Sequence, residues 1–364
     1  MIDITSFGAV ADGATVNTKA IQAALNAAAA AREVVFIPEG AFLTGGLAVP
    51  NGVRGIQGVA PASYQNTKTG SILILDKNSG SRALLDLSNC KDLFCRDFCM
   101  RGFGRGGVAP KASGLFVDIP QHGGHNGLGS CLVFDGLSVE DFSLDCAHMQ
   151  NAGVVTFRHC IIGGAGRHGI LAHIWDGWII DCMIPGNTLC GIYSDESIAS
   201  ISITGNRIEW NGMAGVWGKN AYRLSLTGNT IDHSCYEGVY FEDANALAIH
   251  GNVFWRSGSP YSKPSSSLPP EIPADPYALA HARFKRCRGI AFTGNVLHAG
   301  LHGDRKGDWA PAYGIVLEGM SHSVFTGNSL WGAGAKEVIA DLGGHGEGLE
   351  IALNSMSLAE GDDD

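Results

Sequence analysis

The sequence predicts a right-handed parallel β-helix, a solenoid of short stacked coils. Three observations predict it: a recurring Thr-Gly-Asn marker, a glycine that follows most markers at the same distance once insertions are allowed for, and an alternating strand from that position. The markers lie in ISITGNRIEW, LSLTGNTIDH, AFTGNVLHAG and SVFTGNSLWG, with a variant in AIHGNVFW. Their asparagines are Asn206, Asn229, Asn252, Asn295 and Asn328, stepping by 23, 23, 43 and 33 residues. The two longer steps are the same coil with an insertion. Cys160 and Cys182 stand at the marker position in two earlier coils.

The glycines are Gly169, Gly191, Gly215, Gly238 and Gly314. From that position the chain reads GILAH, GIYSD, GVWGK, GVYFE, HARFK, GIVLE and EVIAD. Successive strand residues face opposite sides, so the first and third residues after the glycine point inward and the second and fourth outward. One coil cannot bury its inner face alone, so the coils must stack. Asparagine suits the turn because it tolerates left-handed backbone angles and its amide can bond from coil to coil. These asparagines are read as structural.

At the start of the chain, Ala14 to Arg32 is alanine-rich, with Ile21 and Leu25 four apart, and reads as a helix with a narrow apolar stripe. It is expected to cover the open end of the solenoid and block edge pairing. VVFIPEGAFLTGGL supplies the first strands, so residues 1–50 form a cap. Residues 1–364 read as a single β-helix domain with loop insertions at 258–280 and 301–313.

Composition narrows the function. Fifty-one glycines and only 16% charged residues suit many short strands joined by tight turns. A net charge of −10 argues against nucleic acid or an anionic membrane as partner. No stretch approaches the ~20 apolar residues of a membrane span. The opening MIDITSFGAV has no leader pattern. The ten cysteines make no zinc spacing, and several sit in apolar strands, so they read as reduced core residues. A reducing, cytoplasmic setting is expected, or a secreted or periplasmic one if a leader was trimmed. His122 and His125 lie three apart without a third ligand, so no metal or other cofactor is expected. GFGRGGVAP looks like a phosphate-cradling loop, but no helix follows it. The closing EGDDD reads as a frayed acidic tail.

FGAVADG, NTKAIQAAL and VVFIPEGAFLTGGL resemble the opening of the pectate-lyase and polygalacturonase superfamily of right-handed β-helices. The resemblance in pattern extends along almost the whole chain. It implies a carbohydrate substrate, bound on the strand that follows the asparagine turn by one further strand. The Asn-Thr-Asp, Asp-Asp, Gly-His-Gly and Arg-Ile-Lys motifs of polygalacturonases are not at matching positions. Neither is the Asp-Pro-His-Glu signature of alginate epimerases.

Two outward columns follow on that strand. One holds His173, Asp195, Lys219, Glu242, Lys285, Glu318 and Asp341, and the other Leu171, Tyr193, Trp217, Tyr240, Arg283, Val316 and Ile339. Aromatic faces stack on sugar rings while charged groups bond hydroxyls. His173, Tyr193, Trp217, Lys219, Tyr240 and Trp175 are therefore candidates for substrate binding. Glycosidic cleavage needs two carboxyls. Asp195 and Glu242, two coils or roughly 9–10 Å apart, suit an inverting pair, with Lys219 between them and Glu196 and Asp243 as substitutes. Glu209 and Asp232, about 5 Å apart on adjacent coils and followed by Trp255, His298 and Trp331, suit a retaining pair. The charged column also fits a surface ion-pair ladder. The insertions could wall the groove or pack against a neighbouring subunit.

Three functions stay open on sequence alone. They are a glycoside hydrolase, a polysaccharide lyase using Lys219, Arg223 or His173, and a non-catalytic glycan-binding protein of tailspike or adhesin type, as a homotrimer.

Overall fold

The computed structural model describes residues 1–59, 69–104, 110–119, 130–259, 274–301 and 309–359. His122, His125, the middle of GFGRGGVAP, the tail EGDDD and the centres of both insertions lie outside the described residues. The described chain forms two compact units, Met1–Met183 and Ile184–Asp364. No helix among the described residues is long and apolar enough to cross a membrane.

In the N-terminal unit the helix spans Thr18–Ala31, shorter than expected. Its intended first turn is taken by the strand Asp12–Val16, because Asp12 Oδ1 accepts from the amides of Ala14 and Thr15 and holds an extended turn. Ile21, Ala24, Leu25 and Ala28 form its buried stripe, set on the first strands. The following coils pair only in parallel. Ala83–Asp86, Ser113–Asp118, Ala147–Gly153 and Ile170–Ile180 make one such file. Inside, Phe134 stacks on Phe157 at 4.8 Å.

In the C-terminal unit each coil has three strands, and each pairs with its counterpart in the next coil. The file that matters for function runs Ile192–Ser194, Val216–Lys219, Val239–Glu242, Ala280–Lys285, Tyr313–Glu318 and Glu337–Asp341. Val216, Val239, Ala282, Phe241, Phe284 and Leu317 fill the interior, as the alternation predicts. The register differs from expectation once. Ile315, not Val316, faces Ile339, and Leu317, not Glu318, faces Asp341. The shift places small Ala340 on the outer face, where it packs with Val316, Tyr313 and Tyr277.

The asparagine ladder is formed in full. Oδ1 of Asn229 accepts from both the backbone amide and Nδ2 of Asn206, at 2.9 and 3.0 Å. The same pair of bonds joins Asn229 to Asn252, Asn252 to Asn295, Asn295 to Asn328 and Asn328 to Asn354. Asn354 is a rung that the marker pattern did not reveal, because its coil lacks the Thr-Gly pair. The glycine column has an equally local cause. A Cβ on Gly191, Gly215 or Gly238 would lie 2.6–2.7 Å from the next coil's carbonyl oxygen, too close for any side chain. Of the ten cysteines nine are buried, none is in a disulfide, and burial pushes the Cys190 and Cys235 thiols up to about 12.

Candidate functional site

The outward face of the C-terminal unit carries the expected aromatic row. Tyr193, Trp217, Tyr240 and Arg283 are in register on successive strands. The rings, however, stack on one another, at 4.8 Å between Tyr193 and Trp217 and 5.4 Å between Trp217 and Tyr240. Only 8% of Tyr240 is exposed, and the Arg283 guanidinium sits 5.5 Å from its ring. The faces of these rings are thus taken up by one another, which differs from the open faces expected of the row.

The charged column is also rearranged. Lys219 faces Glu242 in register. Yet Arg286 reaches back to bind Glu242 at 2.5 Å and Asp243 at 2.7 and 2.9 Å. That clamp holds the Asp243 carboxyl below its usual range, and both carboxylates are ion-paired. Glu242 therefore sits in an ion-pair ladder continued by Lys285 and Glu318 at 3.9 Å. Asp195 and Glu196 lie in the exposed bend beyond the strand Ile192–Ser194, outside the paired register. The proposed Asp195–Glu242 geometry is thus not assembled by paired strands.

The second expected pair is assembled. Glu209 and Asp232 face each other on adjacent strands, followed by Trp255 and His298. Both are buried, Arg207 Nε binds Glu209 at 2.6 Å, and His233 Nδ1 lies 2.5 Å from Asp232. Trp210 stacks on His233 at 3.9 Å and His298 on Trp331 at 4.4 Å, so here too the rings cover each other.

A different carboxyl stands out, one that the sequence reading did not choose. Glu237 directly precedes Gly238, at a position where neighbouring coils carry Cys190 and Ala214. An acid in an apolar column was the available signal. It is 6% exposed, and burial pushes its carboxyl up to about 7, against the lowering effects of its own backbone amide and of Arg283. Arg283 Nη1 is 3.6 Å from Glu237, while its Nη2 gives the better bond, 2.7 Å, to Asp275. Asp275 caps the short helical turn Pro276–Ala278, in the described end of the first insertion, where Tyr277 packs on Tyr313 at 5.1 Å. Glu237 and Asp275 thus share one guanidinium. The Tyr240 hydroxyl, hydrogen-bonded to Glu242, has its ionisation pushed up by burial.

The N-terminal unit has its own polar cluster on an outward face, which the sequence reading also passed over. Asp145 is fully buried and accepts from Arg167 Nε at 2.8 Å, from Arg167 Nη2, from His148 Nδ1 at 2.9 Å and from the His168 amide at 3.2 Å. Burial alone would raise its carboxyl. The Arg167 and His148 bonds outweigh burial and hold it below its usual range. His148 is in register with Leu171, and Gln150 with His173. His173 is buried, with Nδ1 2.5 Å from Gln150 Oε1, and Trp175 follows on the same strand.

Comparison with known proteins agrees with this architecture. A family model described as a right handed beta helix region matches residues 145–259, and one described as rhamnogalacturonase A/epimerase, pectate lyase-like, matches residues 1–68. No curated protein sequence matches the chain. Among solved structures, the A-module of the Azotobacter vinelandii mannuronan C-5 epimerase AlgE6 aligns with TM-score 0.69 at 15% identity, covering 98% of this chain and 91% of that one. DFA-IIIase from Arthrobacter chlorophenolicus A6, without its lid and in complex with GF2, aligns at 0.66 and 15%, over 99% of both chains. Tailspike protein 2 of Escherichia coli O157:H7 bacteriophage CAB120 aligns at 0.66 and 14%, over 90% of this chain but 42% of the tailspike. The fold is that of the right-handed parallel β-helices. Within that fold, residues 1–68 resemble the pectate-lyase-like rhamnogalacturonase A/epimerase family.

Proposed function

We propose that the chain is a carbohydrate-active enzyme that cleaves a glycosidic bond, with Glu237 as proton donor. Carbohydrate as substrate class is supported by its structural neighbours, whose names include a mannuronan epimerase and a DFA-IIIase. The observation that carries the chemistry is Glu237: a carboxyl that keeps its proton to about pH 7, beside a second carboxyl on the same arginine. Glycosidic cleavage needs one carboxyl to protonate the leaving oxygen and another to activate water or attack carbon. Glu237 takes the first role. Asp275, half exposed at the mouth of the insertion, takes the second, and Arg283 fixes their spacing. Trp217 and Tyr193 contact the sugar alongside.

The test is reducing-end release from a polysaccharide panel. Glu237→Gln should lose at least ~100-fold in kcat, the usual worth of a general acid. Unchanged turnover in that variant would remove the assignment, and an ultraviolet-absorbing unsaturated product would point to elimination instead. A second reading, glycan binding without cleavage by a trimeric shaft, is favoured by the Glu242–Arg286–Asp243 clamp, which belongs to a static ion-pair face. Saturable glycan binding with no product and a trimeric mass in sedimentation would support it.

A further inference from the structure

The long strand Ile170–Ile180 pairs with Ala147–Gly153 through a bulge between Gln150 and Ala152. Asn151, with φ of 55°, is the extra residue. Were Asn151 paired with Ile174 in an unbulged register, Ala152 would fall opposite Trp175. With the bulge, Gly153 does. A Cβ on Gly153 would meet three contiguous indole atoms at once, Nε1, Cε2 and Cζ2, at 2.5, 2.6 and 2.9 Å. The indole therefore lies flat across the glycine backbone, one face seated, while the side chain stays 37% exposed. This is the orientation that the stacked aromatics of the C-terminal unit lack.

Along the same outward face run Gln150 with His173, and then His148, whose ring is stacked on Phe116 at 4.8 Å. The Asp145 carboxylate pairs with His148 Nδ1, which leaves Nε2 to pair with a hydroxyl. From Leu171 to Trp175 the strand covers about 13 Å at ~3.3 Å per residue, long enough for more than one sugar ring. The charge pattern selects the ligand. Arg167 is bidentate to Asp145, Arg82 over the Phe116 ring is paired with Asp86, and exposed Asp118 and Asp176 flank the strip, so the remaining charge disfavours an anionic ring.

We propose that the N-terminal unit carries a binding subsite for neutral, hydroxyl-rich oligosaccharide, with Trp175 seated on Gly153 as the ring platform and His148, Gln150 and His173 as the hydroxyl partners. The proposal rests on reading the chain as carbohydrate-acting, and it does not require Glu237 chemistry. The test is calorimetric titration of the intact chain with neutral hexasaccharides of glucose and of mannose, beside a uronate hexasaccharide as the anionic control. A neutral hexasaccharide should bind. Trp175→Ala should weaken it at least tenfold, Trp175→Phe should restore most of the affinity, and Gly153→Ala should reproduce the loss with the fold intact by circular dichroism. Binding of the uronate alone, or equal affinity in wild type and Trp175→Ala, would overturn the proposal. Glu237→Gln separates the two claims. If it loses turnover while Trp175→Ala leaves binding untouched, the subsite falls and the enzyme reading stands. If it keeps turnover while Trp175→Ala loses binding, the reverse holds.

Discussion

Asp145 in the N-terminal unit and Glu237 in the C-terminal unit are both buried carboxyls beside an arginine, yet their protons behave oppositely. Asp145 receives a bidentate guanidinium, an imidazole and a backbone amide, and is held ionised below the usual carboxylate range. Glu237 meets its arginine only at 3.6 Å, because Arg283 spends its short bond on Asp275. Burial then prevails, and the carboxyl rises to about 7. What decides the protonation state is the geometry of the hydrogen bond, not the presence of the cation.

The contrast can be broken most severely at Arg167. Arg167→Met removes the guanidinium from buried Asp145, leaving it only His148 and the His168 amide, and should cost about 3–5 kcal/mol in urea unfolding at pH 7. As Asp145's folded pKa is depressed, the stability it provides is present above its unfolded value and lost as pH falls through the folded one. The variant's deficit should therefore shrink in acid. A pH-independent deficit would mean packing, not charge, had been lost.

Glu237 gives the opposite slope. Its folded pKa of about 7 lies above the ordinary 4.5, so the folded state binds the extra proton between those values and stability falls as pH rises through them. Glu237→Gln should flatten that decline, a gain on the order of 3 kcal/mol at pH 8 relative to pH 4. Parallel stability curves for the two proteins would contradict the raised pKa.

The smallest effect is expected at Arg286, a half-exposed side chain that binds Glu242 and Asp243. Arg286→Ala should leave the unfolding midpoint unchanged within error, in low or high salt, as isolated surface pairs do. A clear loss that salt abolishes would show the charged face to be a cooperative network.

Most of the architecture was legible because it is periodic. The Asn206-to-Asn328 file, the glycine column and the inward Val216, Val239 and Ala282 follow from spacing alone. The helix start was not, since Asp12's turn bonds are a local competition that alanine content does not show. The site was legible only as a face. The sequence places Tyr193, Trp217 and Tyr240 in a row but not the tilt of their rings. It places Glu242 outward but not the reach of Arg286 across to it. Glu237 and Asp145 escape the periodic pattern because each sits just before its strand, outside the alternating positions. The Asn151 bulge, which brings Gly153 beneath Trp175, leaves no periodic trace at all.

The asparagine file has a further consequence. Its rungs connect coils separated by 23, 43, 33 and 26 residues with bonds of the same length. The spine thus counts turns of the solenoid rather than amino acids. Excursions are absorbed at the corners between strands, at two different corners in these coils, so segments there can be lengthened, shortened or exchanged without shifting the residues stacked above and below.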